Sequence, residues 1–285
     1  MEKDRKMMMF CLLLAAISSP VFTGEWNASV VKNLDALVTS CIVIPCSYTH
    51  AIDGLSHSRL RGIWHLSTGR DQRIYHEDKT MILENFRGRT KLLGNLGQGN
   101  CALEMIEIKD HDNGPFCFRV EIVTGTSEHL KLKCFLAFSF FDSCVNFTMI
   151  TEPPKPTLIP PKTAIQGHPY TITCSVIHTC PSHIPQLTWS RGTAEEILEV
   201  HREIHQGTWE SQSNLTFITE EKDNHTDITC TAEFFGGRTS TEKLTLHVKH
   251  EIENHNHIII PVVVGISTTV IFGGLCFFIL WKKYK

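Results

Sequence analysis

The sequence has no excess of basic charge. Its formal net charge is −3 over 285 residues, so no positive field recruits a phosphate backbone, and nucleic acid is excluded as a partner. It also lacks a nucleophile elbow, a phosphate loop and a paired catalytic carboxylate motif, which leaves no basis for an enzyme and implies no cofactor. Metal ligation is equally unsupported. Among 16 histidines, His201/His205 and His255/His257 have ligand-like spacing, but no cysteine or carboxylate set closes a site around them. Before residue 258 there is no sustained helical periodicity, which points to an all-β chain.

What the sequence does have is cysteine. Eleven are too many for an ordinary cytosolic protein and place the chain in an oxidising compartment. The N-terminus agrees. Lys3, Arg5 and Lys6 precede an apolar run from Met7 to Ile17, too short to span a bilayer, and Ser18 to Gly24 is small and polar enough for cleavage. Residues 1–24 therefore read as a secretory signal peptide. A second apolar run, 258–280, carries no charge inside, and its length of about 23 residues matches a bilayer core. Trp281 follows, then Lys282, Lys283 and Lys285. Positive residues stay cytoplasmic, so the expectation is a single-pass type I protein of the plasma membrane, with an extracellular N-terminus and a short tail. Gly265, Thr269 and Gly273 fall on one stripe of that helix, a small-residue pattern that allows the close helix pairing of a homodimer.

Between these segments the chain has room for two domains of roughly 100 residues. Residues 25–150 read as short strands broken by turns. Residues 151–156 form a stiff proline-rich linker. Residues 157–249 make a second strand-rich domain, and 250–257 a polar stalk before the helix at 258–281 and the tail at 282–285. The segment from Leu130 to Ala137 is surplus to this plan and reads as a long loop or an extended hairpin. Four Asn-x-Ser/Thr sites, at Asn27, Asn146, Asn214 and Asn224, all fall outside the expected membrane segment, as N-glycosylation requires.

One stretch organises the first domain: Asp112-Asn113-Gly114-Pro115-Phe116-Cys117-Phe118-Arg119-Val120-Glu121. Asp-x-Gly-x-aromatic-x-Cys opens the sixth strand of an immunoglobulin sandwich, and here Phe116 stands at the corner aromatic and Phe118 at the cysteine. Side chains alternate along a strand, so Phe116 and Phe118 point inward while Cys117, Arg119 and Glu121 point outward. An outward guanidinium can grip a carboxylate through two parallel hydrogen bonds, or pair with Glu121 two residues on. In the second domain Cys174, Trp189 and Cys230 repeat the Cys…Trp…Cys spacing of the same fold. The expected class is all-β: two tandem immunoglobulin-like sandwiches, variable-type then constant-like, plus one C-terminal transmembrane helix.

Several stretches together go further: Thr39-Ser40-Cys41-Ile42-Val43-Ile44-Pro45-Cys46, Gly62-Ile63-Trp64, Gly88 to Gly97, Asn100-Cys101-Ala102-Leu103 and Phe116 to Glu121. With Phe118 in place of the usual sulfur, the set resembles the siglecs, the sialic acid-binding immunoglobulin-like lectins, from Trp26 to about Lys249. The resemblance implies an intra-sheet bridge Cys46–Cys101, an inter-domain bridge Cys41–Cys180 and the ordinary bridge Cys174–Cys230. It gives Cys117, Cys134 and Cys144 no partners. Cys117 can bridge to Cys144 or to Cys134, and either choice leaves one unpaired or intermolecular. The resemblance also implies a site: Arg119 for the sialic acid carboxylate, Trp26 against the N-acetyl methyl, and Phe138 or Phe140 against the glycerol chain. Partners would then be sialylated glycoproteins or glycolipids, bound without a catalytic step. The other reading is an immunoglobulin-type adhesion or receptor protein with a protein ligand.

Overall fold

The computed structural model describes residues 26–49, 59–126, 133–161, 163–250 and 256–283, so the signal peptide expected at 1–24 lies outside the described residues. The chain forms two compact units. The first takes in residues up to Pro160, with Thr171–Phe217 and Asp227–Leu244; the second takes in Pro161–Tyr170, Ile218–Thr226 and the chain from Thr245.

The first unit opens with β1 (Asn27–Val30), β2 (Asn33–Leu37), β3 (Ile42–Ile44) and β4 (Cys46–Thr49), followed by β5 (Leu60–Leu66) and β6 (Arg73–Tyr75). Next come β7 (Thr90–Leu92), β8 (Leu103–Met105), β9 (Phe116–Thr126) and β10 (Lys133–Ile150). The main sheet runs β2-β10-β9-β5-β6, with β2 parallel to β10 and the other pairs antiparallel. Opposite it lie the β3-β8-β7 sheet and the β1-β4 ribbon. Of the segment from Leu130 to Ala137, residues 130–132 lie outside the described residues, and from Lys133 onward it belongs to β10, paired with β9 from Lys133↔Thr126.

Alternation along β9 builds the core. Phe116 and Phe118 are both fully buried, as is Trp64 on β5. Phe118 stands 5.4 Å from Tyr48 and 5.7 Å from Trp64, both tilted, so an aromatic cluster occupies the volume an inter-sheet disulfide would cross. The Cys46–Cys101 bridge lies within one layer instead. There Cys101 N–H donates to the Cys46 carbonyl at 2.9 Å, and Trp64 Nε1 donates to the Cys101 carbonyl at 3.1 Å.

A buried ion pair closes the lower end. Arg89 Nη1 and Nη2 meet Asp112 Oδ2 and Oδ1 at 2.6 and 3.2 Å. Arg89 also donates to the carbonyls of Asn85 and Glu107, and Asp112 accepts from Lys109 N–H at 2.8 Å. With these further bonds neither charge is left bare in the interior.

The first unit also contains β11 (Thr157–Ile159), β13 (Pro169–His178), β14 (Gln186–Trp189), β15 (Ile197–His205), β16 (Thr208–Ile218), β17 (Asp227–Phe234) and β18 (Arg238–Thr245); β12 is Ala164–Ile165 and β19 is Val248–Lys249. Sheets β11-β13-β16-β15 and β14-β17-β18 enclose Cys174, Val176, Leu187, Cys230 and Ala232, with the Cys174–Cys230 bridge among them. Cys41–Cys180 ties the segment before β3 to the turn after β13. Beside it Val43 N–H donates to the Thr179 carbonyl, and Thr179 Oγ1 to the Asp35 carbonyl, each at 2.9 Å.

The second unit pairs β12 with β19 in parallel and carries the helix α1 (Asn256–Lys283). Among the described residues no helix is long and apolar enough to cross a membrane. The span expected at 258–280 is not supported on that ground, and side chains are described there only for Thr268 and residues 270–283.

Two expectations follow. Asp112→Ala would strand Arg89 in the interior and lower unfolding free energy by about 3–5 kcal/mol in urea titration. His178 is 8% exposed, and burial lowers its pKa from 6.5 to about 4. Between those values the unfolded chain binds the proton and the folded chain does not. Stability should therefore fall as pH drops from 6.5 toward 4, by at most roughly 3 kcal/mol. His178→Gln should flatten that part of a chemical-denaturation pH series.

Candidate functional site

The outer face of β9 is where a recognition site can be built, because alternation turns Cys117, Arg119 and Glu121 away from the core. On the neighbouring strands, Arg119 pairs in register with Ile63 of β5 and Ser139 of β10, and Glu121 with Arg61 and Ala137.

Arg119 is not the exposed cation expected from sequence. Its Nη2 donates to Glu121 Oε1 at 2.6 Å, and the two side chains are only 18% and 14% exposed. The intramolecular pair weighed in the sequence is the one present. The guanidinium is incompletely used, however: Nε is buried and has no hydrogen-bond acceptor among the described residues.

Cys117 does point away from the core, yet it is fully buried, because it bridges to Cys144. The bridge staples β9 to β10 two residues from Arg119. The side chain of Cys134 lies outside the described residues.

The staple also resets β10. Two steps along β9, from Arg119 to Cys117, match five along β10, from Ser139 to Cys144. The extra residues form a bulge, held where Ser143 Oγ donates to the Ala28 carbonyl at 2.7 Å. The bulge decides where the aromatics go. Phe138 lies opposite Val120, a core residue, and Phe140 stacks in parallel over Phe118 at 6.2 Å; both pack against the core. They therefore stand on the opposite side of the sheet from Arg119, which corrects their assignment to its face. Trp26 also packs at the core margin, stacked flat on Phe138 with centroids 3.8 Å apart. The structure brings Trp26 and Phe138 together, but against each other.

The aromatic on the Arg119 side is Phe141, 42% exposed. His65 meets it edge-on at 5.4 Å, and the Arg70 guanidinium lies 5.3 Å from its centroid. His65 is itself fully buried, with Nδ1 2.8 Å from the Leu66 carbonyl. Burial lowers its pKa, the Leu66 contact opposes that, and the positive charges of Arg119, Arg70 and Arg73 add to the lowering. Of these three guanidinium groups, Arg119 is paired with Glu121 and Arg73 with Asp71 at 3.2 Å, which leaves Arg70 beside Phe141 as the cation of a partly apolar surface. Sequence reasoning missed Phe141 and Arg70. The Phe140-Phe141 doublet was the available signal for the first; Arg70, in a loop, had none.

Of the asparagines expected to accept glycans, Asn27, Asn146 and Asn224 are exposed. Asn214 is half-buried, its Oδ1 accepting from Thr173 Oγ1 at 2.6 Å and its Nδ2 donating to the Leu198 carbonyl at 3.5 Å. Among the described residues the one metal-like group is Cys41, Cys180 and His183, and there the two sulfurs are already joined.

The immunoglobulin domain family profile matches residues 160–243. Human myelin-associated glycoprotein is 26% identical over 217 residues, 74% of this chain and 32% of that protein. Human sialic acid-binding Ig-like lectin 9 is 27% identical over 239 residues, 81% of this chain and 46% of that protein. Mouse myeloid cell surface antigen CD33 is 24% identical over 241 residues, 83% of this chain and 56% of that protein. The chain thus spans from a third to just over half the length of these relatives.

The Cys117–Cys144 staple is expected to hold the bulge. Replacing both cysteines by serine should lower stability by about 3 kcal/mol, by the chain entropy of its 27-residue separation. It should also release protection of the β9 and β10 amides in hydrogen exchange.

Proposed function

From a chain that belongs to the siglec family, we propose a cell-surface lectin that binds sialylated glycans through Arg119, in cell adhesion or immune recognition. The chain is not an enzyme. The observation that carries the reading is Arg119 itself. It lies on the solvent side of the central strand, with Nε unbonded and Glu121 as its carboxylate partner. A sialic acid carboxylate offers the same chemistry as Glu121 and can take its place through two parallel hydrogen bonds. Phe141 supplies an apolar plate on that side, and Arg70 beside it favours an acidic ligand.

Binding should be weak per site, because the ligand must displace an existing pair and both charges must shed water. Clustering of copies on a membrane would supply avidity. The single-pass type I topology is part of this reading; it rests on the apolar run at 258–280 and the lysines after it. So does the division into a variable-type domain at 25–150 and a constant-like one at 157–249.

A second reading has its own support. The Arg119–Glu121 contact and the inward Phe138 and Phe140 favour an immunoglobulin-type receptor for a protein ligand.

Binding of the ectodomain to sialylated cells, before and after sialidase, separates the two. The lectin reading expects loss after sialidase and loss with Arg119→Ala. It expects roughly a fivefold gain with Glu121→Gln, as for a competing ion pair worth about 1 kcal/mol. Binding indifferent to sialidase and to Arg119→Ala would establish the protein-ligand reading.

A further inference from the structure

Away from the Arg119 face, the bridge between Cys41 and Cys180 has polar company. Cys180 Sγ lies 3.9 Å from His183 Nδ1 and 3.5 Å from Ser182 Oγ. The same Nδ1 is 3.3 Å from Ser182 Oγ and 3.6 Å from Glu104 Oε1. Glu104 is 7% exposed, and Oε1 has no hydrogen-bond partner among the described residues. An N–H at this ring position has the Glu104 carboxylate, the Ser182 hydroxyl and the Cys180 sulfur as its neighbouring acceptors. The ring is positioned by Phe235, whose centroid is 4.4 Å away. Among the described residues, no imidazole nitrogen is in hydrogen-bond contact with the sulfurs of the other three bridges.

A route to the bond is also present. A cavity of about 500 Å³ is lined by Leu34, Ser40, Cys41, Thr179, Cys180 and His183, among others. Both cysteines are nearly inaccessible from bulk solvent, at 2% and 4% exposure. A small thiol entering this cavity would therefore meet the bridge beside its acid.

We propose that Cys41–Cys180 is a thiol–disulfide exchange site, opened by an external dithiol with His183 as the acid for the leaving sulfur. A thiolate of the dithiol attacks Cys41 Sγ. The S–S electron pair passes to Cys180 Sγ, which takes the Nδ1 proton of His183. The second thiolate of the reagent then attacks the mixed disulfide, leaves as a cyclic disulfide and releases Cys41 as a thiolate that protonates from water. The reagent loses two electrons and the bridge gains them. Exchange is faster when the departing sulfur leaves as a better-stabilised group, and a proton donor provides that. Opening would free a link across 139 residues of sequence and leave the Val43–Thr179 and Thr179–Asp35 hydrogen bonds to hold the two segments.

The test uses the full chain on transfected cells, treated with dithiothreitol for timed intervals, alkylated and peptide-mapped. Cys117–Cys144 and Cys174–Cys230 in the same molecules serve as reference bridges. Cys41 and Cys180 should become alkylated together, ahead of Cys174 and Cys230. His183→Gln should slow their opening about tenfold, and Glu104→Gln about threefold, with the reference bridges unchanged. Mapping before treatment checks that each variant still forms the bridge, and either variant alone suffices. An unchanged rate in a variant that forms it would overturn the proposal, as would wild-type opening no faster than that of Cys174–Cys230.

Discussion

Alternation along β9 is the constraint from which the rest follows. Phe116 and Phe118 must both be buried, because the layer between the sheets is filled by aromatic contact and no sulfur crosses it. Once those two rings are inside, Cys117, Arg119 and Glu121 have to stand on the other side. The positive group, its carboxylate partner and the anchor of the β9–β10 staple are set by one packing decision. Asp112, just ahead of the strand, holds the start of this run through Arg89.

Covalent bonds then join strands within this buried framework. Cys46–Cys101 joins neighbours within one layer, and Cys117–Cys144 joins β9 to β10. The second has the larger consequence for recognition. By fixing Cys144 opposite Cys117 it absorbs extra residues of β10 into a bulge, and the bulge places Phe141, rather than Phe138 or Phe140, beside the guanidinium surface. Cys41–Cys180 differs from both in having His183 Nδ1 3.9 Å from its Cys180 sulfur, and it lines a cavity.

The Arg119–Glu121 pair gives the site a ligand of its own. With 18% and 14% exposure, the pair is partly shielded from water, so its attraction is less screened than that of a surface pair. A glycan must compete with Glu121, whereas a protein surface could use the pair as it stands. Both readings rest on the same two side chains, and they differ in which of them yields.

The all-β character and the buried Phe116 and Phe118 were determined by sequence, because period-two alternation is a local pattern. Family resemblance added Cys41–Cys180, Cys46–Cys101 and Cys174–Cys230, of which only the last also follows the Cys…Trp…Cys spacing of the second domain. Tertiary structure decided the rest: the partner of Cys117, the β10 bulge, the inward turn of Phe138 and Phe140, and the closure of Glu121 onto Arg119. These depend on the register between two strands and on the rotamer a charged side chain adopts among its neighbours. Strand register is a property of a pair, so a single strand's alternation cannot carry it.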